Sequence, residues 1–339
     1  MPLIMGIGNT GEIAQSVEQG TENPRVHSSI LCLATSSFGA GLRPLNFAIP
    51  FAGSRPMKIG IIGGSGLYAI EGIEALQEHR LETPFGDPSD VLVSGRLKGR
   101  DVVFLPRHGK GHKLLPTEIP FKANIWAMKK MGVTHLISVS AVGSLKEEIA
   151  PGHIVFPDQF IDRTRLREST FFGNGIVGHV QFGHPVCPEM SKALAQSAEG
   201  NNIVHYTGGT YICMEGPAFS TKAESNMYRS WGGSVIGMTN IQEAKLAREA
   251  ELCFSTIALA TDYDCWHESE EEVSVEAVLE VMRKNIETSK IILADIVERL
   301  PEERSCSCGD SLKFAILTSL DLVPQKTKDD LHPILARYL

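Results

Sequence analysis

Residues 57–66 read Met57-Lys58-Ile59-Gly60-Ile61-Ile62-Gly63-Gly64-Ser65-Gly66. A β-branched run that stops in a glycine-rich turn predicts a buried strand followed by a tight turn. The pattern continues outward from there. Val91 to Leu97 and Val102 to Leu105 read as paired strands joined by Lys98-Gly99-Arg100. Ile119 to Met131 carries apolar residues at helical spacing and is closed by Gly132. His135 to Val139 reads as a buried strand running into a small-residue turn, Ser140-Ala141-Val142-Gly143-Ser144, and Ile154 to Phe156 is extended. The second half repeats the rhythm. Glu189–Ala198, Thr221–Trp231 and Ile241–Glu251 read as helices, and Thr210–Met214, Ser234–Ile236 and Cys253–Ala260 as strands. Val275 to Leu300 closes the series as a long amphipathic helix. Strands alternating with helices predict an α/β fold: a three-layer α/β/α sandwich around a mixed, mostly parallel twisted sheet.

No linker or repeat interrupts 57–300, which reads as one domain, with 301–339 as a C-terminal segment packing on it. Residues 1–56 differ. They hold three Glu and three Arg, are rich in Gly, Ser, Asn and Pro, and show no sustained periodicity. They read as a disordered extension or an upstream start, since Met57 opens a clean strand. Glu12, Glu18 and Glu22 precede any basic region, which argues against a signal peptide. Ser28–Pro56 bears only a faint trace of a transit peptide.

The 339-residue chain has a formal net charge of −8, with 42% apolar and 21% charged residues. That is the composition of a soluble globular protein. A net-acidic chain without a basic cluster argues against nucleic-acid or anionic-membrane binding, and no run of 18 apolar residues offers a spanning helix. The cytoplasm is the simplest compartment. Seven scattered cysteines do not form a secreted disulfide framework. Cys306-Ser307-Cys308 is the only close pair. A redox disulfide remains open there, but nothing stands at zinc-finger spacing, so no metal site is expected.

Four clusters can carry chemistry. The amides of Gly63-Gly64-Ser65-Gly66 and the Ser65 hydroxyl can cradle an anion, or simply form a tight turn. Arg107-His108-Gly109 ends a strand; Arg107 offers a planar fork for phosphate and His108 a donor to a second oxygen. Gly109 and Gly111 argue against a helix presenting His108 and His112 to zinc. The turn at Ser140–Ser144 can point backbone N–H groups into a crevice, or serve as a plain crossover. Thr261-Asp262-Tyr263-Asp264 places two carboxylates two residues apart at the end of a hydrophobic run. If the extended geometry continues, both point to one side. They can then read a purine's edge, and one, protonated, can donate to a departing base. Metal ligation or a helix cap are the alternatives. The acidic run from Glu268 to Glu272 reads as a solvated face.

Seven motifs stand in order: Lys58–Ser65; Thr83-Pro84-Phe85-Gly86 with Pro88-Ser89-Asp90; Arg107-His108-Gly109; Ser140–Leu145; Met214-Glu215-Gly216-Pro217 with Phe219-Ser220-Thr221; Met238-Thr239; and Thr261–Trp266. Together they resemble the methylthioadenosine phosphorylase family within the trimeric purine nucleoside phosphorylase superfamily. The likeness covers about 57–300 and extends weakly through Cys306-Ser307-Cys308; residues 1–56 have no counterpart. The resemblance implies attack of inorganic phosphate on the anomeric carbon of 5′-methylthioadenosine, giving adenine and 5-methylthioribose 1-phosphate. Phosphate is then a co-substrate, and no cofactor or metal is required. Ser65, Arg107, His108, Ser140, Ala141 and Thr239 match the family's phosphate positions, with Ser140 replacing a frequent Thr. Met238 matches the residue beneath ribose and base, Asp262 the acid at the purine's five-membered ring, and Asp264 the neighbour of the 6-amino group, with Tyr263 between them. Ser220 and Val275 match positions linked to substrate choice, and His179, Val278 and Leu279 the methylthio pocket. A homotrimer, each site completed by a neighbour, is implied as well.

The implied chemistry is physically coherent. An oxocarbenium-like transition state needs aligned phosphate and a protonated base, and general acid catalysis contributes about 10²–10⁴-fold. A carboxyl raised by burial at the end of an apolar strand suits Asp262 to that task. Three rivals remain. A 6-oxopurine phosphorylase would favour an amide donor where Asp264 stands, a non-catalytic nucleoside binder would have lost Arg107 or Asp262, and a Cys265–His267 nucleophile lacks an orienting third group.

Overall fold

In chain order the strands and helices of the computed structural model are β1 (Lys58–Gly63), β2 (Ile73–His79), β3 (Leu92–Leu97), β4 (Arg100–Pro106), α1 (Phe121–Lys130), β5 (His135–Ser144), β6 (Ile154–Phe156), β7 (Gln159–Asp162), α2 (Pro188–Gly200), β8 (His205–Thr207), β9 (Thr210–Cys213), α3 (Lys222–Ser230), β10 (Gly233–Gly237), α4 (Asn240–Glu249), β11 (Cys253–Asp262), α5 (Val275–Arg299), α6 (Gln325–Asp330) and α7 (His332–Leu335). The structure describes residues 57–64, 67, 70–267 and 275–339, with the backbone alone for 275–279. The expectations for 1–56, the hydroxyl of Ser65 and the run Glu268–Glu272 lie outside the described residues.

β4, β1, β5 and β11 lie side by side and parallel, so their C-terminal ends share one edge of the sheet. Of ten strand pairings among the described residues, six are parallel. Successive side chains on a strand point to opposite faces, and both faces here are covered. Ile59, Ile61, Ile137 and Val139 pack with Met190 and Leu194 of α2 and Ile292 and Ile296 of α5. Ile62, Val103, Leu136 and Phe254 pack on the other side with Ile125 and Met128 of α1 and Ala244 and Ala247 of α4. Two buried faces explain why these strands read as unbroken apolar runs. The architecture is a three-layer sandwich about a mixed sheet.

One sequence expectation fails in an informative way. Ser140–Ser144 is not a turn but the second half of β5, in register with Ala258–Ala260 of β11 and then antiparallel to β10 at Gly143 and Ser144. Small residues in isolation suggest a turn. Here strands on both sides supply the ladder that holds them extended. The polar edge strand β2 carried no readable pattern, because five of its seven residues are exposed.

The C-terminal segment contributes Leu312, Ala315, Val323, Leu331, Ile334 and Leu335 to the α1–α4 core. Trp126 of α1 donates its indole N–H to the Asp330 carbonyl at 2.8 Å. Gly53–Leu339 therefore forms one compact unit.

Candidate active site

The shared edge of β4, β1, β5 and β11 gathers Arg107, His108, Ser140 and Asp262, where open α/β sheets bind ligands. Thr239 joins them at the β10–α4 junction. It is buried, and its side chain makes no capping bond to the helix. The Thr239 hydroxyl is thus left for a ligand, while the Asn240 and Ile241 amides that open α4 are directed at the buried Cys213 sulfur.

Beneath this lies a polar network that sequence reasoning missed. Glu243, in the first turn of α4, takes Arg107 Nε at 2.6 Å and Nη2 at 3.1 Å. Arg107 also donates to the Val139 carbonyl at 2.9 Å and to Ser138 Oγ at 2.7 Å. Ser138 donates onward to Glu243 at 2.6 Å and accepts from Asn240, whose amide oxygen accepts from Thr256. The guanidinium fork expected to face phosphate is thus turned into the protein and neutralised by a carboxylate. The readable signal was Thr239-Asn240 opening a helix with Glu243 on its first turn, where an acid is favoured by the helix dipole.

His108 is half-buried and stacked on His112, with centroids 4.1 Å apart. Its Nδ1 lies 2.8 Å from the Leu114 carbonyl, which can only accept, so Nδ1 carries the proton. Burial pulls its pKa down to about 4, aided by the nearby Arg107, His112 and Arg167 charges and opposed by the Leu114 bond. The ring is then neutral at pH 7 and its Nε2 is an acceptor, not the donor expected from sequence. Ser140 is buried with its hydroxyl 3.2 Å from that of Tyr211, while Ala141 is exposed.

The two carboxylates are arranged differently from a continued strand. β11 ends at Asp262, and Asp264 opens a one-turn 3₁₀ helix with φ at +54°. Asp262 accepts from Thr261 Oγ1 at 2.7 Å and from the Asp264 amide at 2.8 Å. Gly143 faces it in register; a Cβ there would lie 3.0 Å from Asp262 Oδ1, so the close approach needs glycine. Asp264 keeps one carboxylate oxygen, Oδ2, buried without a well-formed hydrogen bond; the buried Ser225 hydroxyl, unpaired as well, lies beside it. Burial raises the Asp264 pKa, the Ser225 hydroxyl works to lower it, and the adjacent Asp262 charge adds to the rise. An orphaned acceptor at a ligand edge fits a donor group on the ligand.

Met238 packs on Gly216, where a Cβ would lie 2.6 Å from its sulfur. Its carbonyl is held by Arg167, which also pairs with Glu215 at 2.9 Å and is 1% exposed. Arg167 and Glu215 position this wall, and the only sequence trace of them was Glu215 within the Met-Glu-Gly-Pro motif. Ser220 is buried and donates toward Met214 sulfur at 3.6 Å. Tyr263 turns outward, donating to the Glu147 carbonyl and stacking on His267 at 4.5 Å. Cys265 donates to the Ser220 carbonyl, burial raises its pKa, and His267 pairs with Glu147, so these two do not form a nucleophile–base pair.

His179 is exposed, on a segment tied to the C-terminal tail through its amide and the Ala315 carbonyl. Val275, Val278 and Leu279 lie on α5, and their side chains are outside the described residues. A hollow of about 550 Å³ lined by Thr83, Trp126, Lys130, Asp329 and His332 includes none of the residues above. A metal site, excluded on spacing, has a candidate after all. The fold brings Cys187, Cys253, Cys306 and Cys308 together from distant parts of the chain, which no spacing rule could register.

Fold and site together define a nucleoside-type phosphorylase, and residues 58–298 match the sequence model of the family described as "Phosphorylase superfamily". A relative from Geobacter sulfurreducens, named S-methyl-5′-thioadenosine phosphorylase, is 58% identical over 83% of this chain and 99% of its own length. A solved methylthioadenosine phosphorylase from an antarctic soil metagenomic library is 43% identical. It covers 83% of this chain and 99% of its own, with a TM-score of 0.80. A variant of the adenosine/methylthioadenosine phosphorylase of Schistosoma mansoni, solved with methylthioadenosine, is 35% identical. It covers 76% of this chain and 96% of its own, with a TM-score of 0.70. The chain belongs to the methylthioadenosine phosphorylase family.

Proposed function

We propose that this protein catalyses phosphorolysis of S-methyl-5′-thioadenosine to adenine and 5-methylthio-α-D-ribose 1-phosphate, in purine and methionine salvage. One observation carries the choice of base: the buried, unpartnered Asp264 oxygen beside Asp262 at the end of β11. A 6-amino group donates to such an acceptor; a 6-oxo group would meet it lone pair to lone pair. Asp262 protonates the purine as the glycosidic bond breaks. Thr239, Ser65, Ser140 and Ala141 hold inorganic phosphate, the second substrate, and the neutral His108 accepts from an O–H of the phosphate through Nε2. Arg107 shapes the floor of that site through Glu243. Met238 underlies ribose and base, and Ser220 and Val275 select the substrate. No cofactor takes part, and the protein works in the cytoplasm, where free thiols persist.

The proposed enzyme is a homotrimer in which a neighbour completes each site. Phe314, Leu317 and Val177 are 88%, 65% and 49% exposed. They belong to the tail and the loop joined by the Leu317–Val177 backbone bond, next to His179. An apolar patch of this kind suits a subunit contact, which would bring His179 to the methylthio group of the adjoining site.

The test is purified protein assayed with methylthioadenosine, methylthioinosine and adenosine, with and without phosphate. Adenine release from methylthioadenosine should require phosphate and be abolished in Asp262→Asn. Equal or faster turnover of methylthioinosine would overturn the reading.

A further inference from the structure

The phosphorolytic site leaves one cluster of nucleophilic side chains unused. The sulfur atoms of Cys187, Cys253, Cys306 and Cys308 all lie within 4.8 Å of one another. Cys187 caps the start of α2, Cys253 opens β11, and Cys306 and Cys308 flank Ser307 where the C-terminal segment enters a 3₁₀ turn. Cys253 and Asp262 are the two ends of β11, so at about 3.3 Å per residue the cluster lies roughly 30 Å from the catalytic acid. Cys187, Cys253 and Cys308 are 1%, 0% and 4% exposed. All four are free thiols, and the Cys253 and Cys306 sulfurs stand 3.4 Å apart.

Four donors of one kind at these separations describe a coordination shell. A tetrahedral zinc ion with Zn–S bonds of about 2.3 Å places its sulfurs about 3.8 Å from each other. The cluster needs to adjust by less than an ångström or so to meet that figure. The span suits a single ion and leaves no room for the several irons of an iron–sulfur cluster, the other common partner of four thiolates. Hard cations that prefer oxygen are excluded by the donor set.

We propose that Cys187, Cys253, Cys306 and Cys308 bind one zinc ion, which fastens the C-terminal segment to α2 and the start of β11. Zinc stays divalent, four S–H bonds break, and four protons leave to solvent, so the zinc–tetrathiolate centre carries a charge of −2. Three polar groups lie near the cluster: an amide donor, a guanidinium on the same segment and a neutral imidazole. The Cys308 amide donates to the Cys306 sulfur. The Arg304 guanidinium lies against Gly309, close enough that a Cβ there would be 2.7 Å from it, and donates to the Glu251 carbonyl at 3.0 Å. The buried His135, register partner of Cys253, is a further polar neighbour. From this clamp the chain runs directly to Leu312 and Ala315, the first residues of the segment in the α1–α4 core.

The experiment uses the full chain, produced with zinc in the medium and purified under reductant without chelator. Elemental analysis should find about one zinc per chain, falling to background in Cys306→Ser with Cys308→Ser and accompanied by a lower Tm. Should that variant not fold, cobalt-loaded wild type carries the test through the d–d bands and sulfur-to-metal charge transfer of a tetrahedral thiolate site. Background zinc in the wild type overturns the proposal, whether its thiols react freely or its mass shows hydrogens lost to disulfides. Zinc retained by the double Ser variant, or a cobalt spectrum of oxygen or nitrogen ligation, overturns it equally.

Discussion

Glu243 and Arg107 face each other edge to edge, Nε to Oε1 at 2.6 Å and Nη2 to Oε2 at 3.1 Å, with side chains 1% and 4% exposed. A bidentate pair so deeply buried is held by geometry, because Coulomb attraction alone does not repay desolvation. Removing one partner strands the other charge. Glu243→Ala should therefore cost about 3–5 kcal/mol in urea unfolding of the full chain, and an apolar pair at both positions should recover most of it. A loss below about 1 kcal/mol, the worth of an exposed pair, would show that the two are not coupled in solution.

Asp264 is the proposed determinant of which purine is accepted. Its buried Oδ2 waits for a donor, and an amide in its place would offer N–H groups instead. Asp264→Asn should lower the kcat/KM ratio of methylthioadenosine over methylthioinosine by at least about tenfold, the usual scale for a mismatched buried hydrogen bond. An unchanged ratio would place the base elsewhere.

The same residue has a readout in stability. Burial, then the Asp262 charge, raises the Asp264 pKa, so the folded protein binds this proton more tightly than the unfolded chain. Its contribution is fully present below the ordinary Asp pKa of about 3.9 and is lost as pH rises through the folded value. Asn mimics the protonated form. Asp264→Asn should thus gain stability relative to wild type as pH rises from acid to neutral, and a difference independent of pH would refute the assignment.

His135 works in the opposite sense. Burial, with the Arg304 charge behind it, lowers its pKa from 6.5 to about 4. The unfolded chain takes up this proton first, so stability present above about pH 6.5 falls as pH drops toward 4, by up to about 3 kcal/mol. His108 shares the direction. In protein stripped of metal by chelator, His135→Asn should flatten the acid limb of a urea-unfolding series taken across that window; an identical limb would mean His135 is not buried neutral.

What the sequence made legible follows from what each residue depends on. Ile59 to Ile62 read correctly because a strand buried on both faces needs only apolar side chains, which are local facts. Asp262 stood out because it ends a run that the pattern marks, the run that forms β11, whereas Thr239 entered only through the family resemblance. Ser140–Ser144 was misread because its conformation is set by β10 and β11, over 90 residues away. Arg107 was assigned to phosphate from its own chemistry, and its actual partner Glu243 lies 136 residues further on. The four cysteines failed for the same reason: Cys187 and Cys306 are neighbours only once α2 and the tail are in place.

The two termini should respond oppositely to removal. Leu312, Leu331, Ile334 and Leu335 are each 2% exposed or less and cover α1 and α4. At about 1.5–3 kcal/mol per buried side chain, their loss approaches the whole stability of a domain, about 5–15 kcal/mol. A chain ending at Leu300 would also lose the Asp330 carbonyl that holds Trp126, and the Tyr338 hydroxyl bonded to Glu251. It should be insoluble, or show no cooperative melt by circular dichroism. A chain beginning at Met57 keeps every residue matched to the phosphorylase superfamily, 58–298, and should release adenine at the full-length rate. Loss of activity on removing 1–56, or a folded product ending at Leu300, would reverse the roles assigned to the two ends.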